Sequence, residues 1–295
     1  MVPAQAPARP DPLGLVLLLL TVTGWGFNWP AMKLLLGELP PFSIRTLSGA
    51  LGVLVLLGVA LARRERLAVP RAMRGRLVVA SLLNVTAWMG LASFSLLWLA
   101  AGEATIVCYT MPVWAGLFGW ALLGERPSLR RMLALGLALA GLAVLVLGRG
   151  WQAGLESLPG VGFALAAALL FSLGTVVGKR WPLGLPPATS ATWQIAIGIA
   201  PLGLCAALFE QPDLAALSGM GWGLLVYGGL APLGLCYLAW FGALRRLPAA
   251  MAASGTLLTP VVAVLAAASM LGEPLGLREV LALTLTVSGV LLALR

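Results

Sequence analysis

Long apolar runs, broken by short polar stretches, set the pattern of this chain. A membrane-spanning helix needs about 20 mainly apolar residues. Ten segments meet that need: 13–36, 42–62, 77–98, 103–123, 131–148, 159–180, 187–209, 219–243, 250–271 and 277–294. Their apolar residues are continuous rather than alternating, and only helices or closed barrels satisfy the backbone in hydrocarbon. The pattern therefore predicts an all-α integral membrane protein of ten transmembrane helices. Gly, Pro and charged residues fill the connections, none of which could hold a folded soluble domain. Residues 1–12 are rich in Pro and Ala and are expected to be a disordered cytoplasmic N-terminus. The apolar run that follows is too long for a signal-peptide core and is read as the first membrane helix.

Composition agrees with this pattern. Only 10% of the 295 residues are charged and 60% are hydrophobic, whereas soluble domains carry roughly 25% charged residues. The net charge of +9 could suggest nucleic acid, but the basic residues form short clusters between apolar runs. A lipid bilayer is the expected partner, and no nucleic acid is expected. The clusters fall on alternate connections. Arg63, Arg64, Arg66, Arg71, Arg74 and Arg76 follow the second run, and Arg126, Arg130 and Arg131 the fourth. Lys179 and Arg180 follow the sixth, and Arg245 and Arg246 the eighth. The other connections hold Glu38, Glu103, Glu156, Glu210 and Asp213. The positive-inside rule then places both termini in the cytoplasm.

Catalytic chemistry finds little footing. Histidine is absent, and Cys108, Cys205 and Cys236 lie in separate apolar runs without paired spacing. No metal site, disulfide framework, nucleotide-binding P-loop or nucleophile set is expected, so neither an enzyme nor a cofactor is predicted.

The chain repeats itself. A shift of 146 superposes Lys33, Pro40 and Pro41 on Lys179, Pro186 and Pro187. A shift of 148 superposes Pro112, Gly124, Glu125, Arg130 and Gly141 on Pro260, Gly272, Glu273, Arg278 and Gly289. The two repeats are expected at 13–148 and 159–294, with five helices each. An odd number forces the second copy to insert upside down. Inverted repeats are a common plan of secondary carriers, with the site near the midplane, although a channel or a scaffold can share it.

These residues carry a family resemblance. Trp25-Gly26-Phe27-Asn28, then Lys33, Pro40-Pro41 and Arg45, resembles the opening of the EamA family of the drug/metabolite transporter superfamily. Pro112 followed by Leu123-Gly124-Glu125, echoed by Pro260 and Leu271-Gly272-Glu273, resembles the close of each EamA repeat. The second copy departs from the pattern, with Phe171-Ser172-Leu173-Gly174 in place of the Trp-Gly-x-Asn. The resemblance covers about residues 13–294 and implies a 5+5 fold around a central cavity. It also implies a bacterial inner-membrane location and export of amino acids, other small metabolites or toxic organic compounds.

Polar and aromatic residues inside the runs are the candidates for lining such a cavity. In the first repeat they are Trp25, Asn28, Asn84, Trp88, Tyr109 and Thr110; in the second, Phe171, Thr175, Tyr227, Tyr237, Thr256 and Thr259. Trp25 with Asn28, and Asn84 with Trp88, stand at helical spacing and should share faces. An amide beside a flat apolar wall suits a small zwitterion or neutral polar solute with an apolar part. The same residue types also bond helices together or form interfacial belts; Trp98, Trp151 and Trp222 are read as belt residues. Pro112 and Pro260 each remove a helical hydrogen bond and should kink their helices. No charge lies near the middle of a run. Lys33 with Glu273, and Lys179 with Glu125, are expected as alternating gate contacts, against the plainer reading of snorkelling lysines and helix-terminus carboxylates. Ala134/Ala138 and Gly136/Ala140 offer small-residue packing faces within one chain or between two, so monomer and homodimer both stay open. The leading expectation is a secondary carrier working by alternating access; a channel-like permease and a lipid flippase are the alternatives.

Overall fold

The computed structural model describes residues 11–124, 129–147, 151–247, 251 and 255–294, leaving out the side chains of 131, 146, 151–154 and 293–294. Residues 1–10, the bulk of the expected disordered N-terminus, lie outside the described residues. Among the described residues the segments are α1 (Pro12–Leu35), α2 (Pro41–Ala62), α3 (Arg71–Ser95), α4 (Ala101–Leu123) and α5 (Leu129–Leu147). They continue with α6 (Trp151–Arg180), α7 (Pro187–Phe209), α8 (Gly219–Leu244), α9 (Leu258–Leu271) and α10 (Leu277–Leu294). Among the described residues, seven helices are long and apolar enough to cross a membrane: α1 to α4, α6 from Leu155, α7 and α8. Met132–Leu145 within α5 and Leu258–Leu271 are shorter apolar helices. Large apolar side chains such as Leu54, Leu133, Leu204 and Leu265 face outward. An apolar exterior on a multi-pass helical protein means hydrocarbon is its solvent.

Local chemistry explains the helix ends. Pro41 and Pro187 sit in the first turns of α2 and α7, where their missing N–H costs nothing. Asp11 accepts from Leu13 N (3.0 Å) to cap α1, and Ser218 accepts from Gly221 N (2.9 Å) to cap α8. Gly124 and Gly272 end α4 and α9 in the left-handed region (φ 71° and 66°), which glycine enters without a Cβ clash. The third helix starts at Arg71 rather than at 77. Arginine stems can lie along the helix while their charges reach water, so the helix outlasts its apolar run.

Three helices are irregular at mid-depth. Leu82–Ala87 in α3 and Gly229–Leu235 in α8 are π-helical. In α8, Pro232 lacks the N–H that would continue the α-helical ladder. The fourth helix is interrupted at Tyr109–Thr110, between Ala101–Cys108 and Met111–Leu123, with Pro112 in the first turn of the second piece. A turn at Thr256–Leu257 similarly precedes α9 and Pro260.

The helices pair in a patterned way. At one end of α2, Glu65 accepts from Thr189 N (2.8 Å) at the start of α7. At the other, Glu210 after α7 accepts from Phe42 N (2.9 Å) and Ser43 N (2.7 Å) at the start of α2. The two helices are thus antiparallel, and each is capped by a carboxylate from the far end of its partner. The α5–α10 pair is antiparallel too. A Cβ added to Gly141 would lie 2.9 Å from Ala282 O, and one added to Gly289 would lie 2.8 Å from Ala134 O. Ala134 and Ala138 are therefore spent on packing within the chain, whereas Gly136 and Ala140 face outward. By contrast α1 runs parallel to α9, with Gly255 against Leu18 and Gly26 against Val262. Likewise α4 runs parallel to α6, through Cys108 Sγ to Ala164 O (3.6 Å) and Ser172 Oγ to Met111 O (2.6 Å).

These pairings gather the basic connections at one end of the bundle. Glu65 meets the start of α7, Arg180 donates to Leu122 O at the end of α4, and Arg246 pairs with Asp11 (3.4 Å). The opposite end holds Glu38, Glu210 and Glu273. The main core cluster lies toward this acidic end and includes Trp29, Met32, Leu35, Leu39, Ile44, Leu96 and Leu99.

Candidate functional site

The third helix reads like a depth gauge. From the basic end it presents Arg76, Ala80, Asn84, Trp88 and Ser93 in turn, and each meets a different environment. A cleft of about 680 Å³ opens at the basic end between α3, α6 and α7, with Arg76 and Trp181 near its mouth. Ser190 and Gln194 of α7 and Thr175 of α6 give it polar walls. Asn84 and Gly174 lie at its inner limit, Asn84 near the middle of α3. Asn84 Oδ1 is buried there without a hydrogen-bond partner, pressed against Gly174, where any Cβ would collide with it. A buried acceptor left unpaired is costly, which marks this amide as a candidate contact for a hydrogen-bond donor.

Above Asn84 the path closes on aromatic rings. Trp88 lies 5.0 Å from Phe171 and 6.3 Å from Trp29, centroid to centroid. These three rings from α6, α3 and α1 stand between the cleft and the acidic half. Beyond them is a slot of about 10 Å³ lined by Asn28, Met32, Arg45, Ser48, Leu224 and Gly228 of α1, α2 and α8. That is room for about one water molecule. Trp88 and Asn84 both face α6, as their spacing predicted.

A second cleft, of about 710 Å³, lies between α1 and α8, and Tyr227, Thr23 and Met270 contribute to its walls. It is otherwise apolar. Tyr227 Oη donates to Gly24 O (2.9 Å), so its one polar tip is already engaged. Trp25 Nε1 donates to Pro232 O (3.1 Å), a carbonyl of the π-helical stretch, and its ring meets Tyr237 at 5.9 Å and Trp240 at 6.0 Å. Trp25, Tyr227 and Tyr237 therefore join α1 to α8 and do not line the α3 cleft, although Tyr237 also packs in the cluster of Val85, Met89 and Trp88 of α3. Thr110 accepts from Trp114 Nε1 (3.0 Å) and is buried at the α4 interruption, where the buried Tyr109 faces Thr259. Thr256 is partly buried in the turn before α9. Trp98 stacks on Phe163 at 5.5 Å and, like Trp222, is exposed, as belt residues should be; the Trp151 side chain lies outside the described residues.

The expected gate residues occupy helix ends. Lys33 Nζ donates to Leu96 O and to Leu99 O (2.9 Å) after the last turn of α3. Glu273 accepts from Ala101 N (2.6 Å) and Gly102 N (3.0 Å) in the first turn of α4. Both thus grip the same short turn, the cation on its carbonyls and the anion on its amides, as the helix dipoles favour. Lys179 is exposed at the end of α6, and Glu125 lies outside the described residues.

Sequence reasoning missed Arg45 as a site residue because it searched for charges only at mid-run. The arginine lies four residues into α2, and its side chain turns inward, Nε donating to Ser93 Oγ (2.5 Å). It also missed Trp29, which reads as one more apolar residue of α1.

Comparison with known proteins agrees with this architecture. The model of the EamA-like transporter family matches residues 12–147 and again 158–295. The "Uncharacterized transporter YvbV" of Bacillus subtilis (strain 168) is 31% identical, over 94% of this chain and 90% of its own. The "Probable amino-acid metabolite efflux pump" of Salmonella typhimurium (strain LT2) is 27% identical, over 88% of this chain and 87% of its own. A solved crystal structure superposes on 95% of this chain and 96% of its own, with a TM-score of 0.66 at 24% identity.

Proposed function

The chain belongs to the EamA-like transporter family of the drug/metabolite transporter superfamily, and from that premise we propose that it exports amino acids or similar small organic metabolites across the bacterial inner membrane by alternating access. In this reading ten helices span the bilayer as two inverted five-helix repeats, 13–148 and 159–294, with both termini in the cytoplasm. The cross-repeat pairing supports it. A two-fold axis in the membrane plane makes equivalent helices that meet on it antiparallel, as α2–α7 and α5–α10 are, and makes α1–α9 equivalent to α6–α4.

One observation carries the proposal: a roomy cleft at the basic end stops below the Trp29–Trp88–Phe171 rings, while the slot beyond them is almost closed. A solute path open at one end and shut at the other is what a carrier needs in one of its two states. The basic end being cytoplasmic, this is the inward-facing state, ready to load an exported solute. Asn84 and Thr175 receive the solute's polar part, with Trp88 and Phe171 as the apolar wall. At the outer end Lys33 and Glu273 hold the α3–α4 turn shut; Lys179 and Glu125 are the equivalent inner pair.

The test is counterflow in proteoliposomes. Vesicles loaded with one unlabelled amino acid at a time should accumulate the same labelled amino acid transiently, with saturation. Flux that rises linearly with concentration and ignores the internal load would refute the carrier in favour of a channel-like permease.

A further inference from the structure

Arg45 holds a charge that no described residue balances. Among the described residues no carboxylate lies within ion-pairing reach of it, and Nε to Ser93 Oγ is its one hydrogen bond. Its planar guanidinium has five N–H donors, so four stay unspent. Asn28, across the same slot, likewise makes no side-chain hydrogen bond among the described residues. Ser48 lines the slot as well, its hydroxyl donating to Ile44 O (2.7 Å) and keeping its lone pairs. Charged groups within a membrane protein are ordinarily paired, and an unpaired one marks a ligand path. The requirement is specific to one repeat, because the shift of 146 that aligns Pro41 with Pro187 sets Ala191 against Arg45.

We infer that Arg45 and Asn28 form the outer carboxylate site of the transport path, which makes this a carrier of solutes bearing a free carboxylate. The inference rests on the carrier reading above and adds its substrate class. Unspent Nη donors form a fork that matches both oxygens of a carboxylate, and the Asn28 amide supplies a further donor. Leu224 and Gly228 of α8 close the slot to the size of one water. Gly228 directly precedes the π-helical stretch 229–235, where Gly229, Pro232 and Gly234 weaken the helix. Bending there lifts Gly219–Gly228 from α1 and α2 and admits the carboxylate.

Two measurements test this with one carbon skeleton: L-leucine, its amide leucinamide, its decarboxylated form 3-methylbutylamine, and its deaminated form 4-methylpentanoate. The first is thermal stability of the purified full chain in detergent, at fixed ionic strength set with chloride. L-leucine and 4-methylpentanoate should raise the melting temperature, and the amine and amide should not. In Arg45→Gln the carboxylate-dependent shift should vanish, with half-saturation raised roughly 10- to 100-fold by the loss of charged hydrogen bonds. Arg45→Lys, which keeps charge but loses the fork, should fall between. Asn28→Ala, which leaves the charge in place, guards against a folding defect in the arginine variants and should weaken the shift several-fold. The second measurement is counterflow of whichever amino acid the vesicles transport, with the same four compounds as competitors. Competition by both carboxylates alone supports the site. Equal competition by 3-methylbutylamine overturns it while leaving the carrier intact. Carboxylate-specific stabilisation with no counterflow of any amino acid keeps the site and removes the carrier. Equal stabilisation by all four compounds, or none, overturns the site.

Discussion

The reciprocal carboxylate caps of α2 and α7 make a quantitative prediction. Pro40 precedes α2 and offers no side-chain cap, so the first amides of that helix depend on Glu210. Its carboxylate takes Phe42 N, Ser43 N and Ser43 Oγ, at 2.9, 2.7 and 2.7 Å. Glu210→Ala removes all three bonds. Losing a helix cap costs about 0.5–2 kcal/mol, and losing an anion beside a helix N-terminus about 0.3–1 kcal/mol more. The expected loss is about 1–3 kcal/mol. Glu65→Ala removes two bonds at the start of α7, to Thr189 N and Thr189 Oγ1, and should cost about 1–2 kcal/mol. The 22 residues of α2 separate the caps by about 33 Å at 1.5 Å per residue. The two losses should therefore add. Reversible unfolding in mixed micelles, followed by tryptophan fluorescence, measures all three variants. If Glu210→Ala unfolds within about 0.3 kcal/mol of the parent, or the double variant departs from the sum by more than about 1 kcal/mol, the reciprocal-cap account is wrong.

Other expectations follow from the same geometry. Gly141→Ala and Gly289→Ala should each cost about 1–3 kcal/mol by overpacking, because a Cβ at either site meets partner backbone at 2.9 and 2.8 Å; the unfolding assay decides this. Gly272→Ala should cost only about 1–2 kcal/mol, since its Cβ meets nothing within 4 Å and φ of 66° is the sole strain. Trp88→Ala should open the barrier between cleft and slot: efflux from vesicles without counter-solute should rise over the parent, and Trp88→Phe should restore tight exchange.

Much of this fold is legible in the sequence, because hydrocarbon imposes severe rules. A run such as 42–62 must be helical to satisfy its backbone, and the helix is there as Pro41–Ala62. Proline and glycine mark its limits, as Pro41, Gly124 and Gly272 do, since each acts through local backbone geometry. What hydropathy hides is register and direction. The π-helical stretch in α8 leaves a trace in Pro232, but Leu82–Ala87 in α3 contains no proline or glycine to betray it. It lies where Gly198 lets α7 press against Val85, with Thr86 Oγ1 donating to Gly198 O (2.6 Å), a contact only tertiary structure creates. Arg45 is visible as a letter in a motif, but its inward direction depends on Ser93, far along the chain. Trp25 and Tyr227, chosen for their chemistry, bind backbone carbonyls between α1 and α8, which residue type alone cannot distinguish from lining a path.

Symmetry of scaffold and asymmetry of chemistry have different consequences. In the proposed carrier, two equivalent halves would make the inward and outward conformations nearly equal in energy, because each would swap one set of contacts for its mirror set. Side chains without a counterpart then set the bias. At the acidic end Glu38 accepts from Ser218 N (2.8 Å), and Arg278 pairs with the buried Glu103 (3.0 Å). The shift of 148 sets Met251 against Glu103, so that ion pair has no mirror. In the proposed cycle it would favour the state in which the acidic end is shut. A solute can reverse such a preference only through a difference in its affinity for the two states. If Arg45 binds the solute's carboxylate, its slot would provide that difference: closed, it has room for about one water; open, it would offer a guanidinium fork. A carboxylate passing the aromatic rings into the slot would therefore stabilise the outward state on arrival. Water entering the opened slot would then weaken its hold, since charge attraction falls steeply with dielectric constant. In the proposed carrier, entry through the Asn84 cleft and release from a hydrated cation would give the solute a directed path through a nearly symmetric frame.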